Sequence, residues 1–206
     1  MSFCGPQDGR RGEPPSSRVG TTVATVVGYH GCRRAFADGV RSGRITLADW
    51  KPSRNVYDWL GEGVYFWEGS RSRAEEWAAQ HFGADGDVLE AEIDLGRCLN
   101  LLESTYHNAL RATYRNLRDA YRRLGWMLPT NRKGLHALDC LVINKLAKRM
   151  DRLRREHGIR FQSVRGVFEE GRPLFPGSAI RTASHIQVAV RDSRCIRVRE
   201  ERRARP

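Results

Sequence analysis

The distribution of apolar residues changes along the chain from a strand-like to a helix-like pattern and back again. Runs of β-branched or alternating apolar residues predict strands at residues 21–28, 63–67, 87–95, 162–168, 184–190 and 195–199. In the third run, Leu89, Ala91, Ile93 and Leu95 alternate with polar residues, which is typical of a strand with one buried face.

Helical spacing of apolar residues dominates the middle of the chain. It predicts two long helices, over residues 110–124 and 135–156, and a shorter helix over residues 70–81. A further short helix fits residues 32–39. Strands near both ends with helices between them predict an α+β domain.

The composition predicts one folded domain with loose ends. Residues 21–200 suit a single domain, whereas residues 1–20 are rich in Gly, Pro, Ser and Arg and predict a disordered basic arm. Residues 201–206 form a basic tail. No apolar run approaches the ~20 residues that span a bilayer, and the N-terminus has no signal pattern, so we expect a cytoplasmic protein without a membrane partner.

The five cysteines and six histidines do not show metal-binding spacing. The chain contains no C-x-x-C or H-E-x-x-H pair, and an odd number of cysteines argues against a disulfide framework. We therefore expect no metal.

The formal net charge is +12 at pH 7. A field of this size favours polyanions, so nucleic acid is the expected partner, and the solubility of an arginine-rich chain is the alternative explanation. Such contacts would be made to phosphates, with little sequence choice. The basic residues include a stripe on the first central helix, the end of the second helix and the tail: Arg111, Arg115, Arg118, Arg122, residues 145–155 and residues 191–206.

Three segments combine glycine, aromatic and hydrogen-bonding residues in a way that suits a nucleotide. They are Gly28–Gly31 (GYHG), Gly61–Trp67 (GEGVYFW) and Ser184–Val190 (SHIQVAV). Because it lacks a Cβ, Gly31 lets the backbone N–H and C=O reach an amide such as the carboxamide of nicotinamide. The ring of Tyr65 can stack on a planar heterocycle.

In these segments the chain resembles the diphtheria-toxin and poly(ADP-ribose) polymerase branch of the ADP-ribosyltransferases. That branch carries a Tyr-or-Phe-His-Gly strand, then a Gly-x-Gly-Ile-Tyr-Phe strand, then a late strand opened by a glutamate. The runs YDWLGEGVYFWE, FPGS and SHIQVAVRDSRCI are similar to a bacterial toxin–antitoxin and phage-defence subgroup. The resemblance covers roughly residues 25–82 and 160–200. It implies a split β-sheet core with inserted helices, NAD as co-substrate and a cognate antitoxin as a candidate partner.

The resemblance also implies roles for individual residues. His30 would donate to ribose hydroxyls, Tyr65 would stack on nicotinamide, and Gln187 would occupy the third catalytic position. The implied NAD contacts are Tyr29, His30, Gly31, Ser53, Asn55, Tyr57, Tyr65 and Trp77.

Gln187 departs from the family pattern, which has a glutamate nine residues before an isoleucine; here that isoleucine is Ile196. Three explanations stay open. Glu169 or Glu170, in the preceding loop, could supply the carboxylate. The acceptor could be nucleophilic enough to need no base. Alternatively, the chain could bind NAD without turning it over.

The sequence therefore predicts an NAD-dependent mono-ADP-ribosyltransferase, a pentosyl-transferring glycosyltransferase, with a nucleic-acid acceptor such as RNA and a toxin or antiviral-defence role. The alternatives are transfer to a protein or a small molecule, an inactive NAD- or ADP-ribose-binding module, and a nucleic-acid-binding protein without an NAD site.

Overall fold

A seven-stranded sheet with helices on both faces forms the described part of the molecule. The computed structural model describes residues 24–55, 58–132, 134–157 and 160–199. The predicted arm at 1–20, the start of the first predicted strand at 21–23, the tail at 201–206 and Tyr57 lie outside the described residues.

The strands occupy the regions that alternation predicts, with one addition. They are β1 (Thr25–Arg33), β2 (Val64–Glu68), β3 (Gly86–Asp94), β4 (Cys98–Asn100), β5 (Ser163–Phe168), β6 (His185–Val190) and β7 (Ile196–Val198). The sequence pattern misses β4, because three residues are too short to show a period. The predicted end of the first strand at residue 28 is wrong, since all of β1 pairs with β3.

The helices also agree with the helical periodicity. They are α1 (Arg34–Arg41), α2 (Arg71–Phe82), α3 (His107–Arg123) and α4 (Ala137–His157). Helix α1 begins two residues later than predicted, because β1 continues through Arg33. No described helix combines the length and apolar character that a membrane crossing requires.

The strand order is β4-β5-β6-β2-β1-β3-β7, and every neighbouring pair is antiparallel except β4 with β5. A mostly antiparallel sheet with helices between its strands confirms the α+β prediction. Helix α1 and Trp50 pack on the face that carries Phe66, which is fully buried. Burial of such a side chain stabilises the fold by about 1.5–3 kcal/mol.

The opposite face carries Tyr65 and Trp67, because neighbouring residues of a strand point to opposite sides. Helix α4 packs over the β5–β6 end of this face through Ile143 and Leu146. Helix α2 packs over the β1–β3 end through Ala74 and its neighbours. The two helices leave the middle of this face, along β2, to be covered by loops.

Of the strand pairs in the described sheet, β1 and β2 pair over the fewest residues. These strands pair only at Gly28 with Glu68 and at Tyr29 with Trp67, whereas β1 and β3 pair along their full length. A Cβ at Gly28 would lie 2.9 Å from Cβ of Phe66 on β2 and 2.4 Å from Cδ1 of Ile93 on β3, so the glycine permits the close packing at this point. Beyond it the two strands stop pairing, and the candidate site lies at that point.

Candidate functional site

A cavity of about 430 Å³ lies where the pairing of β1 and β2 ends. Its walls come from β1, β2, β6, helix α2 and the loop that precedes β2. Most of the residues predicted as a site line this cavity, although they are far apart in the sequence: His30, Gly31, Ser53, Asn55, Tyr65, Trp77 and Gln187.

Tyr29 does not line the cavity. Its side chain packs with the cluster of Trp67 and Val88 on the α2 side of the sheet. Burial and the neighbouring carboxylate of Glu90 raise the pKa of its hydroxyl. The predicted NAD contact of Tyr29 therefore has no support in this geometry, whereas Tyr57 lies outside the described residues.

The side chain of His30 links β1 to β2 just beyond the point where the backbone pairing of these strands ends. Its Nδ1 lies 2.8 Å from the carbonyl oxygen of Tyr65. Because a carbonyl oxygen only accepts, Nδ1 carries the proton. Burial beside Trp50 and Phe66 lowers the pKa of His30 below its ordinary value of 6.5, so the ring is neutral at pH 7.

The neutral ring leaves Nε2 of His30 as an acceptor, and this nitrogen has no hydrogen-bond partner within the described residues. A hydroxyl group placed at this nitrogen would therefore donate to His30. The sequence prediction has the histidine as the donor, whereas in this tautomer its proton is used by the bond to the Tyr65 carbonyl.

The Tyr65 ring is held rigidly by its own hydroxyl. That hydroxyl donates to the carbonyl of Gly61 at 2.6 Å and accepts from the backbone N–H of Leu60 at 2.9 Å. Burial, with a smaller effect of the Asp58 carboxylate, raises the pKa of the hydroxyl, which stays protonated. Tyr65 thus offers the cavity an aromatic ring and no charge.

Gly31 brings helix α2 against β1. A Cβ at this position would lie 2.8 Å from the carbonyl oxygen of Ala74 and 3.0 Å from Cε3 of Trp77. The tight contact sets Trp77 into the cavity wall. Its indole stacks on the ring of His81 at 4.1 Å between centroids and also contacts the rings of Trp67 and Phe82.

Ser53 and Asn55 line the cavity, but their polar atoms also hold the loop together. Ser53 Oγ donates to Asp58 at 2.8 Å, and Asn55 donates through its backbone N–H to the same carboxylate at 2.7 Å. The side-chain amide of Asn55 donates to Ser53 Oγ at 2.8 Å. Turn chemistry therefore explains these residues at least as well as ligand contact does.

Gln187 and Glu170 meet at the same cavity. The Gln187 side chain has no hydrogen-bond partner among the described residues, so its amide is free for a ligand. Glu170 also lines the cavity, and its carboxylate accepts from Arg73 at 3.0 Å. Glu169 is exposed and does not line it. Of the two predicted carboxylates, only that of Glu170 lines the cavity.

The sequence pattern misses several residues that the loops and helices bring to the cavity. They are Lys51, Asp58, Trp59, Arg73, Gln80, His81 and Gly134. The aromatic Trp59 and the acidic Asp58 do stand in the run YDWLGEG, which is a usable signal. Lys51 and Gly134 stand in no pattern that would have marked them.

The described residues include no cluster of three or more His, Cys, Asp or Glu side chains that could hold a metal ion. Neither a known protein-family model nor a curated protein matches this chain. The family resemblance therefore rests on the three sequence segments.

The folding stability is expected to fall as the pH drops below about 6.5. Burial lowers the pKa of both His30 and His185, so the unfolded chain binds protons that the folded protein excludes. His185→Asn removes one of these groups and keeps a donor for the Ala183 carbonyl, which Nδ1 contacts at 2.8 Å. The melting temperature of this variant should fall less than that of the parent between pH 7.5 and 5.

Above pH 7.5 both imidazoles are neutral in the folded and unfolded states, so the two melting profiles should be parallel there. Parallel profiles down to pH 5 would mean that His185 is not held neutral by burial.

Proposed function

We propose that this chain is an NAD-dependent mono-ADP-ribosyltransferase with a nucleic-acid acceptor, expected to be RNA. The observation that carries the proposal is that His30, Tyr65 and Gln187, from three separate segments, line one cavity. The finer assignment of the sheet as an ADP-ribosyltransferase-like split core belongs to this proposal. The weak β1–β2 pairing, with the cavity beside it, supports that assignment.

The cavity offers groups that suit the nicotinamide, its ribose and the pyrophosphate of NAD. The backbone of Gly31 and the ring of Tyr65 suit the carboxamide and the ring of nicotinamide. His30 Nε2 accepts from a ribose hydroxyl. Lys51, which forms no ion pair among the described residues, supplies positive charge to the pyrophosphate, the part of NAD that carries negative charge.

The reaction breaks the bond between C1′ of the ribose and the nicotinamide nitrogen. Nicotinamide leaves with the bonding electron pair, and positive charge develops on the ribose. The acceptor's lone pair then forms a bond to C1′, and the acceptor loses a proton. Glu170 supplies the negative charge that stabilises the ribose cation, while Gln187 accepts from the ribose 2′-hydroxyl.

Charge favours nucleic acid as the acceptor. Within the described chain, the exposed guanidinium groups of Arg115 and Arg122 on α3 form no ion pair, and the net charge is +12. Free surface cations of this kind bind phosphates. The toxin or defence role, the cognate antitoxin and the cytoplasmic location are proposals that follow from the family resemblance.

Incubation with NAD labelled in its adenylate part, together with total RNA, DNA or protein extract, tests the proposal. We expect label on nucleic acid, most strongly on RNA, with one nicotinamide released for each ADP-ribose transferred. Label found only on protein would reject the nucleic-acid acceptor. NAD binding without nicotinamide release would identify an inactive NAD-binding module instead.

A further inference from the structure

A second cleft of about 520 Å³ lies between α3 and α4. Trp59 and Leu60, in the turn before β2, close one end of it. Trp59 also lines the cavity that contains His30, so one indole separates the two spaces. The cleft is thus next to the proposed reaction site, although the helices that form it lie outside the family resemblance.

The indole of Trp59 is fixed in place by contacts with two other rings. Its ring centroid lies 4.0 Å from that of His136 and 4.1 Å from that of Phe168, which meets it edge-on. Phe168 also lines the second cleft. Contacts at this distance on two sides restrict the rotation of the indole.

The lining of the cleft combines apolar surface with cations at one side. Leu110 and Val142 provide apolar walls, and Tyr114 exposes its ring there, with 38% of the residue accessible. Arg111 and Arg115 line the same cleft, and Arg115 makes no hydrogen bond or ion pair within the described residues. Arg111 donates to Asn108 Oδ1 at 3.1 Å and forms no ion pair among the described residues. An apolar slot with an aromatic ring and exposed guanidinium groups is the chemistry that binds a base and its phosphates.

The charge continues along α3 in one direction. Arg118 and Arg122 follow Arg111 and Arg115 at helical spacing, so the four lie on one side of the helix. All four residues are exposed. A strand whose base enters the cleft would therefore meet further cations along its backbone.

Asp139 is the one acidic residue among those that line the cleft. Its Oδ2 lies 3.2 Å from Nδ1 of His136, which leaves the other carboxylate oxygen as an acceptor. The exocyclic amino group of a base can donate to such an oxygen. The carboxylate is thus compatible with a base and unfavourable for a phosphate at that end of the cleft.

We propose that this cleft binds an unstacked base of the acceptor strand, with Tyr114 stacking on the base and Arg111 and Arg115 contacting its phosphates. Trp59 then lies between the bound strand and NAD. The inference rests on the proposed function, because it assigns a docking site, next to the reaction cavity, to the strand that is modified in that same reaction. An amphipathic helix of a partner protein is the other occupant that an apolar slot admits.

The test measures binding of a fluorescently labelled single-stranded oligoribonucleotide by anisotropy, without NAD. Tyr114→Ala is expected to raise the Kd about tenfold, because the loss of stacking on one base weakens binding by about that factor. Arg115→Glu should raise it at least as much and reduce the dependence of Kd on salt. The exposed position of Arg115 keeps the second variant informative if the first one unfolds.

Arg152→Glu is the matched control. This residue lines a different groove, between Thr113 and Leu117 of α3 and the end of α4, and its reversal makes the same change in net charge. We expect a much smaller change in Kd. An equal loss in both charge-reversal variants would mean that charge alone binds the strand, and would overturn the cleft assignment.

Cross-linking with an oligonucleotide that contains 4-thiouridine gives a second reading. Adducts at Trp59 or Tyr114 support the cleft, whereas adducts confined to other elements reject it. Parental oligonucleotide binding in both Tyr114→Ala and Arg115→Glu would also reject it and would favour a protein helix as the occupant. Because none of these readings uses NAD, they are separate from the transfer assay that decides the proposed function.

Discussion

A His30→Asn variant is expected to keep the parent's fold and to lose about 100-fold in the rate of nicotinamide release. The asparagine amide can still donate to the Tyr65 carbonyl, which His30 Nδ1 contacts at 2.8 Å. It has no atom at the position of Nε2, so the ribose hydroxyl loses its acceptor and NAD is held less accurately. The measurements are the melting temperature, the Kd for NAD and the single-turnover release of nicotinamide.

His30→Gln is the complementary variant. It places a polar group near the position of Nε2 but loses the bond from Nδ1 to Tyr65, so it should lower the stability by about 1 kcal/mol. We expect it to retain more activity than His30→Asn at a lower melting temperature. Parental nicotinamide release in His30→Asn would remove His30 from the site and leave it as a structural link between β1 and β2.

Regular elements were predictable because they repeat a local pattern. The alternation from Leu89 to Leu95 depends only on which side of β3 is buried, and the structure confirms it. The turn around Ser53 was also readable, because short polar side chains stabilise turns by local hydrogen bonds. By contrast, β4 pairs with β5 over only three residues, and no local pattern of that length distinguishes a strand from a loop.

Some residues of the cavity could be predicted because the residue type or the strand pattern itself restricts their position. Gly31 lies where any side chain would collide with α2, and Tyr65 belongs to a strand whose position follows from its apolar pattern. Tyr29 does not line the cavity, although it is adjacent to His30 in the sequence. Neighbouring residues of a strand point to opposite faces, so His30 lies beside Phe66 while Tyr29 lies on the other face with Trp67 and Val88.

The contributions of the loops depend on tertiary packing alone. Glu169 and Glu170 are chemically identical and adjacent, so sequence reasoning had no basis for choosing between them. The path of the chain after β5 determines which of the two lines the cavity. Glu170 does, and there it pairs with Arg73 on α2 at 3.0 Å. Lys51 likewise reaches the cavity from a loop without any periodicity.

The Glu170→Gln variant is expected to lower nicotinamide release about 100-fold while the Kd for NAD changes little. A carboxylate stabilises the positive ribose only as the bond to nicotinamide breaks, so its loss affects turnover more than ground-state binding. The ion pair with Arg73 is partly exposed, with 23% and 35% of the two side chains accessible. Breaking it should therefore cost no more than about 1 kcal/mol of stability.

Glu169→Gln is the matched control, because it makes the same change at the adjacent exposed residue, and it should retain parental turnover.

The double variant Glu170→Gln with Gln187→Glu separates the remaining explanations. If negative charge near the ribose is what matters, the new carboxylate at position 187 should restore part of the lost rate. If Glu170→Gln leaves nicotinamide release unchanged, the cavity works without a carboxylate and the acceptor's own nucleophilicity must drive the reaction. If only Gln187→Glu gives measurable release, the parent chain binds NAD without turning it over, and the transferase proposal fails.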